Sequence, residues 1–264
     1  MSTNNFTLPN GPLKYISSPV DKTGDYNLGI YTADATQRFV YGTRFVTWDG
    51  RVYKYANAVA QVYNYWGAHA YENAAVAWTA LPSANNIGER KQVVTLGSRT
   101  TNDLAGGYLM IYDASETTTN YLFGIIGNND TSTVTTIYID SPLPMTTTTS
   151  DACEVFENPY RETKAHAAGI CPVICVPAQS AAAGYKYWGQ TYGPAYISPT
   201  NSTLDDPTAG EMQVYFSGEG TTGGLVEYAV SSTSENQHAG FLLNCDIATA
   251  GNIAGPLIML QISI

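Results

Sequence analysis

Two runs of β-forming residues, Arg38 to Thr47 and Arg51 to Ala56, flank Trp48-Asp49-Gly50, and this is the local signal that most narrows the fold. Aromatic and β-branched side chains favour a pleated surface. Asp-Gly supplies the positive φ that a tight chain reversal needs. The segment therefore predicts a β-hairpin. In its second arm Val52 alternates with Arg51 and Tyr53, the period of two expected of a half-buried strand.

The same reading extends along the chain. Strands are expected at 91–96, 107–113, 120–126 and 133–139, separated by loops at Gly97-Ser98, Asn102-Asp103 and Asn128-Asn129-Asp130. A second group is expected at 170–176, 185–191, 194–198, 211–217, 224–230, 239–245 and 256–263. Many short strands with Gly/Pro turns define an all-β sandwich or barrel of antiparallel strands. One or two short helices at most are expected. The candidate is 150–167, which carries Asp151, Glu154, Glu157, Arg161, Glu162 and Lys164 and is interrupted by Pro159. Ala56 to Tyr65 is compatible with a short helix, but Val59, Val62 and Tyr63 favour strand.

Residues 1–37, with Pro9, Pro12, Pro19, Gly11, Gly24 and Gly29, read as an extended N-terminal arm, either disordered or laid across a neighbouring subunit. Residues 38–264 form a β-rich body. The connection near 141–168, opened by Ser141-Pro142-Leu143-Pro144 and Thr146 to Thr149, is where it divides if it holds two β subdomains.

Composition narrows the function. Charged residues are only 13% of the 264, and Tyr alone contributes 20 positions. The formal charge of −10 and the absence of a basic run exclude the phosphate neutralisation on which nucleic-acid binding rests. Glu89-Arg90-Lys91, the densest charged stretch, is mixed in sign. The start, Met1-Ser2-Thr3-Asn4-Asn5, is polar and leads into no apolar leader segment. Apolar stretches such as Gly255 to Ile262 are too short to span a bilayer. The expectation is a protein made in a cytoplasm, with no membrane partner, so that the sequons at Asn5, Asn129 and Asn201 carry no glycan.

Motifs for chemistry are tested and set aside. Gly218-Glu219-Gly220-Thr221-Thr222-Gly223 has dinucleotide-site spacing, but such a site needs a helix to begin inside it. Leu225 to Val230 follows instead, which is strand-like. Leu225-Val226-Glu227-Tyr228 resembles the nucleophile strand of jelly-roll xylanases. Retaining hydrolysis needs a second carboxyl about 5–5.5 Å away. Only 37 residues follow Glu227 (264 minus 227), and Glu235 and Asp246 do not stand in the family's partner motif. Cys153, Cys171, Cys175 and Cys245 are too sparse for a disulfide framework, and Cys-x3-Cys with His166 nearby lacks zinc-ligand spacing. They read as buried free thiols. His69, His166 and His238 stand far apart in sequence with no marked nucleophile. No catalytic residue, cofactor site or metal site is assigned.

The aromatics remain. Trp48 and Trp188 lie within strong β patterns and are expected to pack. Tyr63-Asn64-Tyr65-Trp66 and Tyr187-Trp188 are dense enough that some members should face solvent or a partner, where Tyr and Trp are enriched.

Three segments together resemble the small β-rich decoration and cement proteins of tailed-bacteriophage capsids. They are Phe39 to Ala58, with Gly42-Thr43 leading into Asp49-Gly50-Arg51-Val52-Tyr53-Lys54-Tyr55-Ala56; Tyr185 to Ala195, with Gln190-Thr191-Tyr192-Gly193-Pro194-Ala195; and the closing Gly255 to Ile262. They cover about a third of the chain, and the segment around 88–150 has no counterpart there. The resemblance implies a virion structural protein without catalytic residues, bound to the assembled major capsid protein and to copies of itself, a trimer being one form. The same aromatics would serve the alternative, a carbohydrate-binding or host-recognition module of tail or fibre type. A β jelly-roll glycoside hydrolase using Glu227 is the third reading.

Overall fold

A computed structural model describes residues 15–16, 29–70, 76–115, 119–129, 133–165, 171–199, 212–217, 226–227, 237–243 and 256–262. The protein is all-β; among these residues there is no helix. In chain order the strands are β1 (Tyr15–Ile16), β2 (Arg44–Val46), β3 (Val52–Asn57), β4 (Ala68–Ala70), β5 (Val76–Ala80), β6 (Lys91–Thr95), β7 (Tyr108–Tyr112), β8 (Asn120–Asn128) and β9 (Val134–Ile139). They continue with β10 (Ala152–Phe156), β11 (Thr163–Lys164), β12 (Val173–Pro177), β13 (Lys186–Tyr196), β14 (Gln213–Phe216), β15 (Val226–Glu227), β16 (His238–Leu242) and β17 (Leu257–Gln261).

The chain forms two compact units, one inserted into the other: residues 73–158 interrupt a unit made of 15–72 and 159–264. The insertion closes on itself, because its first and last strands, β5 and β10, pair antiparallel. In the host unit β4 and β11 pair as well, with Ala70 opposite Thr163, so the chain returns beside the point where it left.

The inserted unit is one antiparallel sheet in the order β5-β10-β7-β8-β9-β6. Alternation explains it. Val94, Leu109, Ile111, Phe123, Ile125, Ile137, Ile139, Cys153 and Val155 share a single core with Leu81, Leu96, Leu104 and Leu143, and each such side chain contributes roughly 1.5–3 kcal/mol on burial. Side chains of Asn and Asp tie its loops. Asn128, buried, accepts from the Leu104 N–H and donates to the carbonyls of Thr100 and Asn129, all within 2.8–2.9 Å.

The helix expected at 150–167 is not there. Residues 152–156 are β10, with Cys153 and Val155 in the core and Glu154 outside. The acidic residues that mimic a helical period have separate tasks. Asp151 accepts from the N–H groups of Ala114 and Thr148, Glu154 from the Tyr112 hydroxyl, and Glu157 pairs with Arg99 at 2.8 Å. The segment 56–65 is not helical either; it completes β3 and then turns.

The host unit is an eleven-stranded sheet ordered β1-β2-β3-β13-β17-β16-β14-β15, with β12, β4 and β11 branching from β13. Its hub is β13. The break expected at 192–193 does not occur: the strands foreseen at 185–191 and 194–198 are one. A bulge between Gln190 and Tyr192 absorbs the irregularity. Gln190 holds it by donating Nε2 to the carbonyls of Tyr192 and Pro194, at 3.1 and 2.9 Å.

Around the first half of β13 both faces are covered, so β3 is buried throughout rather than alternating. Tyr53, Tyr55 and Trp188 pack with Phe39 and Phe45, ring centroids 5.2–6.4 Å apart. Ala56, Cys175, Tyr160 and Tyr187 fill the other side. Trp188 therefore packs as expected, and Tyr187 is buried with it, so this pair holds no solvent-facing ring, contrary to the expectation for the cluster.

The arm also ends earlier than expected. Ile30 lies in the aromatic core, and Asp34 exchanges backbone hydrogen bonds with Lys186 at 2.9 and 2.7 Å, so residues 29–37 belong to the body. Tyr15–Ile16 pair parallel with β2. The remaining arm residues lie outside the described set.

Candidate functional site

The hairpin foreseen around Asp49-Gly50 is present, with Arg44, Phe45 and Val46 opposite Lys54, Tyr53 and Val52. Its turn has three residues, Trp48-Asp49-Gly50. The Gly50 N–H bonds the Thr47 carbonyl at 3.0 Å, the Thr47 N–H bonds that of Arg51 at 2.9 Å, and Gly50 takes φ +85. A type I turn closed by a left-handed glycine has this pattern.

That geometry decides the fate of Trp48. As the first loop residue it leaves the ladder, and its indole is 97% exposed, against the expectation that it packs. Below it the tip is braced. Asp49 accepts from the Thr47 hydroxyl and from Arg51 Nε at 2.8 Å. Arg51 Nη1 reaches the hydroxyls of Tyr53 at 3.0 Å and Tyr31 at 3.4 Å. Tyr31 is itself 60% exposed. The Thr47 hydroxyl, then the Arg51 backbone N–H and guanidinium, hold the Asp49 carboxyl below its ordinary range. The result is an exposed ring on a stem whose polar groups already have partners.

A second aromatic group lies in the loop after Val62. Tyr63, Tyr65 and Trp66 contact one another with centroids 5.1–6.0 Å apart, and Tyr65 is exposed. The surface role expected of this cluster therefore fits its position, whereas that of Tyr187-Trp188 does not.

Several of the reactive groups, by contrast, are sealed. Cys153 and Cys175 are buried free thiols, and burial pushes each up to about 12, away from the thiolate that nucleophilic or metal chemistry uses. Cys171, in no disulfide either, is partly exposed and precedes β12 rather than lying on it with Cys175. The Tyr187 hydroxyl lies 2.7 Å from Thr163 Oγ1, whose own proton goes to the Asn57 carbonyl at 2.8 Å; Tyr187 is therefore the donor. Lys54 is buried with Nζ 5.5 Å from the Tyr160 ring, and burial, then Arg44, lowers its pKa. His69 is buried and hydrogen-bonds the Cys171 carbonyl through Nδ1 at 2.8 Å, so that nitrogen carries the proton. His238 is exposed beside the Tyr215 ring.

Among the described residues, no three His, Cys, Asp or Glu side chains are grouped as metal ligands, and no helix is long and apolar enough to cross a membrane. His166, Cys245, Glu235, Asp246 and the Gly218–Gly223 motif lie outside the described residues; of the strand expected at 224–230, Val226–Glu227 form β15 against β14. No family model matches the chain, and a search of curated proteins found no match.

Proposed function

We propose that the chain is a structural virion protein of the capsid-decoration or cement kind, and that it docks on an assembled shell through the tip of the β2–β3 hairpin. The observation that carries this reading is Trp48, 97% exposed on a braced tip. Trp is enriched among residues that dominate protein interfaces, and a stem ordered in advance lowers the entropic cost of docking. On a shell, many weak contacts are reinforced by effective concentration.

The test is co-sedimentation of the full chain with shells assembled from the major capsid protein encoded in the same genome. Trp48→Ala is expected to weaken binding by about 30-fold or more, the effect of losing a hot-spot side chain of about 2 kcal/mol. Mass spectrometry of purified particles should find the chain at high copy number. Particles that lack it sink the proposal.

Carbohydrate recognition is the second reading, favoured by the placement of two exposed rings, Trp48 and Tyr31, beside the Asp49–Arg51 pair. Glycan binding at micromolar strength that is lost in Trp48→Ala, with no shell binding, would select it.

A further inference from the structure

One face of the host unit's sheet exposes a group of large apolar side chains over its last strands. Pro194, Met259, Phe241 and Gln213 stand in register across β13, β17, β16 and β14. Tyr196 pairs with Leu257, and the Leu243 N–H bonds the Leu257 carbonyl at 2.9 Å; on the other side of the row Tyr192 pairs with Gln261. The intervening residues Ala195, Ile258, Leu260, Leu242 and Val214 point into the core. Side chains alternate along a strand, so the first set faces out. Tyr192, Tyr196, Phe241, Leu243 and Leu257 are between 37% and 44% exposed. None of these four strands carries an acidic residue, and their bases are His238 and, at the far end of β13, Lys186, whose ammonium is held by the carbonyls of Ala35 and Gly184.

We propose that this face binds the same face of a second copy, making a twofold dimer in which the two sheets stack. Three features point to a copy of this chain rather than to another partner. The first is charge. Two chains of formal charge −10 repel each other, and strands without a carboxylate, with Glu227 only beyond them on the end strand β15, are where they approach at least cost. A basic protein or a nucleic acid finds nothing there to pair with. The second is area. Side chains of this size at about two-fifths exposure offer on the order of 800 Å² per copy, the share of each partner in a standard specific interface. The third is arrangement. A twofold contact needs one self-complementary patch. Here Met259, adaptable in shape, sits between Pro194 and Phe241, while Gln213, Gln261 and His238 form a polar margin. An apolar centre with a polar rim is the usual anatomy of such contacts. Stacking two such faces about 10 Å apart reproduces the layer spacing of a β-sandwich. The contact is independent of the shell-binding role, and it is twofold where the resemblance allows a trimer.

The test is sedimentation equilibrium of the full chain under reducing conditions, so that Cys171 forms no cross-link. The wild type is expected to dimerise with a Kd on the order of micromolar. Dimerisation should tighten as salt rises from about 0.05 to about 0.5 M, because screening relieves repulsion between the acidic chains. Met259→Lys is expected to weaken it 100-fold or more. Should that variant lose its fold by circular dichroism, Tyr196→Lys at the edge of the patch carries the test with the same expected loss. Leu122→Lys, at an exposed apolar position of the inserted unit, should leave the dimer unchanged. A wild type that stays monomeric at about 100 µM overturns the proposal. So does a dimer that ignores Met259→Lys and Tyr196→Lys, or one that weakens with salt. A monomer whose binding to shells or to lipid vesicles is abolished by Met259→Lys assigns the face to that partner and equally overturns it.

Discussion

Gly240 shows how much a single position can carry. Its φ is +149, and a Cβ there would come within 1.9 Å of the Met259 carbonyl oxygen, where β16 meets β17 beside its own bulge against β14. Backbone does not give way cheaply. Gly240→Ala is expected to destabilise by about 3 kcal/mol or more, combining left-handed strain with collision. Gly50→Ala, at φ +85 with open space around it, should cost only the strain, about 1 kcal/mol. Denaturant midpoints of the two variants measure the difference, and equal losses would remove the steric argument. Tyr187→Phe deletes the donor to Thr163 and the hydroxyl's 3.7 Å contact with Cys175 Sγ, while the Thr163 bond to the Asn57 carbonyl remains. A loss of about 1 kcal/mol is expected. None of these costs is visible in sequence, where Gly240 is one glycine of 24.

Strands are where the sequence was most legible. Nearly every strand expected after residue 90 is found within a few residues, because alternation such as Leu109/Ile111 in β7 or Ile137/Ile139 in β9 needs no knowledge of neighbours. The misses have physical reasons. Asp151, Glu154 and Glu157 recur every three residues, yet one ties a loop, one meets a tyrosine hydroxyl and one meets Arg99; their spacing is a coincidence of three separate tasks. The short strands β4 and β11 have too few residues to show a period and exist through pairing with partners far along the chain. At the candidate site the hairpin was legible, but the exposure of Trp48 was not. It depends on whether two or three residues make the turn. Loops can be as demanding as strands. Asn128 supplies three side-chain bonds, to Thr100, Leu104 and Asn129, and Asn128→Ala is expected to cost about 2–3 kcal/mol by stranding those groups. Hydrogen exchange should show the amide of Leu104 losing protection first; an unchanged Leu104 would contradict that role.

At the scale of the molecule the pH dependence of stability follows from what is buried. Burial raises Tyr53 and Tyr55 from 10.0 to about 12, and Cys153 and Cys175 from 9.0 to about 12. Raised groups favour the folded state fully below their unfolded values, and that contribution disappears as pH climbs through the folded ones. Denaturant stability should therefore fall between pH 9 and pH 12. Ultraviolet titration should show exposed tyrosines ionising first and the buried ones only with unfolding. A flat profile over that range would remove burial as the cause. The insertion makes a separate prediction. Because β5 pairs with β10 and β4 with β11, replacing residues 73–158 by a short Gly/Ser linker should leave the host unit cooperatively folded, with a smaller denaturant m-value. Loss of near-ultraviolet aromatic signal in that variant would show that the host unit depends on its insert.

The sequence by itself determined the class of structure, most of the strands and the hairpin, since period-two alternation and Gly-containing turns act over a handful of residues. Tertiary structure alone decided that residues 73–158 form a unit whose sequence interrupts another, that β3 is covered on both faces, and that Tyr187 is buried while Trp48 stands in solvent. Those outcomes depend on which distant strands come to lie above and below a given residue. Pairings such as Ala70 with Thr163 join positions far apart along the chain, and no local pattern encodes them.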